Sequence, residues 1–162
     1  MAKRVFFSFH YGNDINRANT VRNSWVFKGT LDAGFVDKAE FEKIKQQGDA
    51  AIKSWIDRQL LGTSTTVVLI GEETLNRPYV QYEIEQSYKK GNAIIGVNIG
   101  GIKDMKTNLT SISQNPRKII GKNEQDKHLW FHEIASDIYD YKKNDGYNNL
   151  GEWIKQAKSI RV

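Results

Sequence analysis

The sequence predicts an α/β fold, a mostly parallel sheet wound on both faces by helices. Short runs of β-branched and aliphatic residues carry the prediction. "RVFFSF" at 4–9, "TTVVLI" at 65–70 and "NAIIGVNI" at 92–99 read as buried strands, and a weaker run, "AGFVD" at 33–37, reads as another. Amphipathic segments lie between them. Strands alternating with helices in the order β-α-β-α-β-α-β join by right-handed crossovers into a doubly wound sheet.

The helices follow from apolar spacing. Ile15, Ala18, Arg22 and Trp25 fall near one side of a first helix, and Ile52, Trp55, Ile56 and Leu60 give the stripe of a second. Asp49 is placed to cap that second helix, and Gly62 stands just past its end. A third helix begins near Tyr79. From Gly100 to about Lys127 the pattern dissolves, which predicts a long loop with little regular structure. The stripe Leu150, Trp153, Ile154, Ala157 and Ile160 then predicts a C-terminal helix that packs on the sheet.

At 162 residues the chain is expected to form one domain spanning 1–162. No apolar window approaches a bilayer span, and the N-terminal stretch lacks a cleavage site. The absence of cysteine fits a reducing, cytoplasmic setting. A net charge of +5 raises the question of nucleic acid, but Lys and Arg are spread along the chain rather than concentrated on a basic face. Neither a nucleic acid nor a membrane is expected as partner.

Ligands of open α/β sheets bind beyond the carboxyl ends of the strands. Strand one delivers Ser8 to Asp14 there, strand two delivers Asp37, and strand three delivers residues 71–78 and the helix that follows. On that helix Val80, Ile84 and Tyr88 form the inward stripe. Glu83 lies on its margin, about 40° from Tyr79, and Glu85 falls on the other margin. An acid near a helix N-terminus also has a simpler use, complementing the macrodipole for about 0.3–1 kcal/mol.

Other chemistries fit less well. His128 and His132 stand at i, i+4, a spacing that suits a metal on one helical face, but no third ligand is evident and no metal is expected. Asp37 lacks the acidic pair at the end of strand one that a phosphoacceptor site needs for Mg²⁺. No glycine-rich dinucleotide motif follows strand one, and no P-loop occurs.

The segments "RVFFSFHYGND", "GFVD" and "STTVVLIGEETLNRPYVQYEIEQS" resemble the first three strands and the aromatic-x-x-x-Glu signature of TIR domains. The closer resemblance is to the TIR-like family that includes the signalling subunit of Thoeris anti-phage systems, through "FFSFHYGNDINRANTVRNSWV" and the late "DGYNNLGEWI". The resemblance implies a flavodoxin-like sheet of about five strands. In catalytic members it implies cleavage of the nicotinamide–ribose bond of NAD, with NAD as substrate and no separate cofactor.

Carried over residue by residue, the resemblance makes Glu83 the catalytic carboxylate and Tyr79 its aromatic partner, with Ser8, Phe9, His10 and Tyr11 lining the substrate loop. Many catalytic TIR domains have tryptophan at the position of Tyr79, and some have arginines at those of His10 and Tyr11. Arg17 is then the candidate for neutralising the pyrophosphate, and Asp37 completes the substrate-binding set. The family further implies an ADP-ribose-derived, cyclic nucleotide product, an effector protein that responds to it, and a homo-oligomer formed through residues 36–41.

Loss of neutral nicotinamide leaves an oxocarbenium-like ribose, so one anion stabilises the transition state and no acid is needed for the leaving group. Two readings from other classes stay open. One is a TIR-like interaction module without turnover; the other is a nucleoside deoxyribosyltransferase-like enzyme that moves a sugar between bases.

Overall fold

The computed structural model describes residues 4–26, 32–33 and 38–160; the side chains of residues 25, 26, 32, 33 and 38–41 are not described. A five-stranded parallel sheet in the order β2-β1-β3-β4-β7 forms the centre. Its strands are β1 (Val5–Ser8), β2 (Asp32–Ala33), β3 (Thr65–Ile70), β4 (Ala93–Asn98) and β7 (Asp137–Asp140). The first, third and fourth coincide with the strongest apolar runs. Of the run at 33–37 only Ala33 lies in β2, and residues 34–37, Asp37 among them, lie outside the described residues.

Alternation along the strands sorts the core into layers. Val5, Phe7, Val67, Leu69, Ile95 and Val97 point to one face, where Ala18 and Val21 of α1 (Tyr11–Val26) and Leu150, Trp153 and Ile154 of α6 (Gly146–Gln156) cover them. Val68, Ile70 and Ile94 point to the other, under Val80 and Ile84 of α4 (Pro78–Lys90). Phe6 packs with Ile52, Ile56 and Leu60 of α3 (Asp49–Leu60). Ser8, two residues beyond Phe6, therefore faces the α3–α4 side. Among the described residues no helix is long and apolar enough to cross a membrane.

Several expectations need correction. A further helix, α2 (Lys38–Gln46), precedes α3, so two helices rather than one connect β2 to β3. Asp49 is not the cap of α3. Gly48, at φ 98°, holds that position, and Asp49 opens the helix with its carboxylate free for side-chain partners. Gly62 does adopt the left-handed conformation past the helix end, at φ 77°. In α1 it is Val21, not Arg22, that shares full burial with Ala18. Ala157 caps α6, and Ile160 lies beyond it, exposed.

The stretch from 100 to 127 is more ordered than its sequence suggests. β5 (Ile119–Lys122) and β6 (His128–Trp130) form an antiparallel hairpin that sends Ile120 and Leu129 into the core beneath α4. Gly121 lets the Glu85 carboxylate lie close over the hairpin, in space that a Cβ there would share. Residues 100–118 are irregular yet tied down. Ser111 N–H donates to Gly100 C=O at 2.7 Å, Gln114 N–H to Gly71 C=O at 2.7 Å, and Leu75 N–H to Gln114 Oε1 at 2.7 Å. His128 begins β6 and His132 sits in the short helix α5 (Phe131–Ile134), so the two do not share a helical face as the i, i+4 spacing suggested.

Candidate functional site

In the sheet order, α1 leads from β1 outward to β2, whereas α4 leads from β3 to β4 on the other side. The winding reverses between β1 and β3, and a crevice opens beyond their carboxyl ends. A cavity of about 510 Å³ lies there, bounded by the end of β1, the start of α1, α3 and the first turns of α4. That volume falls within the range of small-molecule sites.

Its polar centre is Glu83, which is 8% exposed. Val80, Ile84 and Ser87 are buried with it, so the carboxyl sits inside the packed face of α4 rather than on its margin. The Ser8 hydroxyl donates to Glu83 Oε1 at 2.9 Å. Burial pushes the carboxyl up to about 8, and the Ser8 hydrogen bond only partly opposes that rise. A buried carboxyl with one neutral donor is an unusual expense for a helix dipole to justify, because the same complement is available at the surface.

Tyr79, one turn earlier, lines the same cavity, and its hydroxyl donates to Asp49 Oδ1 of α3 at 2.9 Å. That bond fixes the ring against the opening. Phe9, His10 and Tyr11 line the wall from the β1 side, with the Phe9 and Tyr11 rings stacked 5.7 Å apart. His10 is held below the usual histidine range by burial first and the Arg77 charge second, against a contrary pull from Glu73. Its Nδ1 is buried without a hydrogen-bond partner among the described residues.

Arg17 does not face the cavity. It is 7% exposed, and its guanidinium donates to Ile102 C=O at 2.8 Å and Leu109 C=O at 3.0 Å, with Asp14 at 3.6 Å. Its charge serves to hold the 100–118 segment on α1. Asp14 itself is pushed up to about 6, chiefly by burial, with Arg17 opposing. Its carboxylate occupies the space that a Cβ on Gly71 would take, 2.2 Å away.

Glu85 points to the other side of α4, where it pairs with Lys89 at 3.0 Å and abuts the β5–β6 hairpin. The sequence reading missed Lys45 and Arg77, both of which line the cavity. Arg77 carried a signal, since it immediately precedes the Pro78 that opens α4. Lys45 carried none, because α2 was not expected. Among the described residues no group of three or more His, Cys, Asp or Glu side chains is placed to hold a metal ion.

A parallel five-stranded sheet in this order, with a buried Ser–Glu pair at its switch point and an aromatic ring one turn before the glutamate, defines a TIR-like α/β domain. The family model described as "Thoeris protein ThsB, TIR-like domain" matches residues 6–104. A relative from Bacillus cereus (strain MSX-D12), named "Putative cyclic ADP-D-ribose synthase ThsB1", is 37% identical over 191 aligned positions, which cover 95% of this chain and 100% of the relative. The chain belongs to the Thoeris ThsB TIR-like family.

Proposed function

We propose that this protein cleaves the nicotinamide–ribose bond of NAD and converts the ADP-ribosyl part into a cyclic nucleotide signal, read by an effector protein in anti-phage defence. Family membership and the name of the Bacillus cereus relative support the reaction class. The observation that carries the reading is Glu83: a carboxyl buried in a cavity, bonded to Ser8 and to no cation of its own chain among the described residues. Such a group is suited to a positive charge that arrives with the ligand.

In the reaction the C–N bond breaks with its electron pair passing to the pyridinium nitrogen, so nicotinamide leaves neutral and the ribose becomes cationic. A nucleophile on the same molecule then bonds to that carbon and loses its proton. Glu83 is the catalytic residue, anionic beside the developing ribosyl cation, where a fixed charge acts at full strength in a water-poor site. Its proton in the empty cavity departs on binding, because an opposite charge within about 4–6 Å favours the ionised form. Ser8 holds the carboxylate in place, and Tyr79 offers a ring face to the departing base.

Incubation with NAD followed by chromatography tests the reading. Release of nicotinamide with a cyclic ADP-ribose isomer is expected. Unchanged NAD would favour a binding module, and base exchange on deoxynucleosides would favour a deoxyribosyltransferase.

A further inference from the structure

The cavity is electrically two-ended. Its inner end holds the Glu83 carboxyl, and its wall carries two basic side chains, Lys45 from the last turn of α2 and Arg77 at the N-cap of α4. Both are exposed, and among the described residues neither has an ion pair or a side-chain hydrogen bond. The contrast with other cations of the chain is instructive. Arg17 is consumed by two carbonyls and Asp14, Lys53 by Asp49 at 3.3 Å, and Lys89 by Glu85 at 3.0 Å.

Arg77 also stands where α4 begins without any side-chain cap, so the helix contributes partial positive charge beside the guanidinium. Against these, the wall carries one exposed acid, Glu42, so the cations outnumber it there. His10, held toward its neutral form, adds a hydrogen-bonding ring rather than a charge.

We infer that Arg77 and Lys45 form the diphosphate-recognition site of this cavity, orienting a dinucleotide with its diphosphate at the α2–α4 wall and its glycosidic bond against Glu83. The inference rests on the proposed reaction and deepens it, for it assigns to these residues the charge neutralisation that Arg17, buried elsewhere, does not supply. Arg77 engages phosphate oxygens through its planar fork, and Lys45 does so as a point charge. Both bind the part of the ligand that does not react, so they set affinity and register more than the rate of bond cleavage.

Equilibrium titration with ADP-ribose, which keeps the diphosphate and lacks nicotinamide, tests the inference without requiring turnover. Wild-type protein is expected to bind it, and Arg77→Gln and Lys45→Gln should each weaken binding about five- to tenfold, the double variant more, as expected for charge-assisted hydrogen bonds at an open site. Adenosine, which has no phosphate, should bind weakly and equally to all four proteins. In turnover, Arg77→Gln should raise KM for NAD while kcat stays within about threefold.

Failure of wild-type protein to bind ADP-ribose, or binding unchanged in the double variant, would overturn the inference. So would an equal loss for adenosine, which would mark a structural effect. A protein that binds ADP-ribose through these residues yet releases no nicotinamide would overturn the proposed reaction while leaving the diphosphate site standing.

Discussion

The Ser8 hydroxyl and the Glu83 carboxyl meet at 2.9 Å, although 75 positions separate them in the chain. Ser8 is the last residue of β1 and Glu83 lies on the second turn of α4, so the pair joins the two halves of the sheet at the point where its winding reverses. The proposed bond cleavage turns on the charge that this carboxyl can carry.

Glu83→Gln keeps the side-chain size and removes the charge. Turnover of NAD should fall about 10²- to 10³-fold with little change in ADP-ribose binding. Glu85→Gln makes the same chemical change on the face that pairs with Lys89 and should stay within about threefold of the parent. Equal losses in the two variants would remove Glu83 from the chemistry.

The same substitution has a signed effect on stability. The Glu83 pKa rises from 4.5 in the unfolded chain to about 8 in the fold, so between those values the folded state holds a proton that the unfolded state has lost. Stability contributed by the protonated carboxyl is present below pH 4.5 and declines as pH rises toward 8. Glu83→Gln should therefore be more stable than the parent at pH 8, by an amount on the order of a few kcal/mol, and melt at a higher temperature, with the gap closing at pH 5. Melting curves across pH 5–9 check this.

Activity should follow the opposite trend. The proposed chemistry needs Glu83 ionised, so kcat/KM for NAD should climb with pH and level off above about 8. A profile flat from pH 6 to 9 would count against an anionic Glu83.

A structural prediction concerns Gly146, whose missing Cβ makes room for the ring of Tyr141, 2.2 Å from where that atom would stand. Tyr141 is buried and shares a 2.8 Å hydrogen bond with Ser24, so the ring has little freedom to retreat. Gly146→Ala should cost about 1–3 kcal/mol by denaturant unfolding. ADP-ribose affinity, set at the other end of α1, should be unchanged.

Turnover is expected to need a second copy of the chain and no metal. Specific activity should rise with protein concentration, and protein treated with chelator should retain its rate. A flat dilution series from a monomer, or activity lost on chelation and restored by Zn²⁺, would reverse these two expectations separately.

The central sheet was legible because β1, β3 and β4 are buried on both faces and so read as unbroken apolar runs. β7 is an edge strand whose four residues, "DIYD", are all at least partly exposed; it has no such run to read. β5 was hidden for a similar reason, with Ile120 its only fully buried residue. At the site, helical spacing drew notice to Glu83 and the resemblance named it together with Tyr79, and both line the cavity, whereas the fate of Arg17 depended on carbonyls of residues 102 and 109 that no local pattern connects to it. Long-range hydrogen bonds to irregular backbone leave no trace in sequence periodicity.

Parallel pairing has a temporal consequence. Val5 lies opposite Thr65, so β1 cannot meet β3 through a tight turn and must wait for the intervening chain to be made and closed into a loop. Pairing across that separation slows folding, because the loop must close before the contact is gained. A chain still leaving the ribosome with β1 and α1 complete but α4 unfinished carries Ser8 without Glu83. The Ser8–Glu83 pair therefore assembles only after α4 has been made, however early β1 is complete.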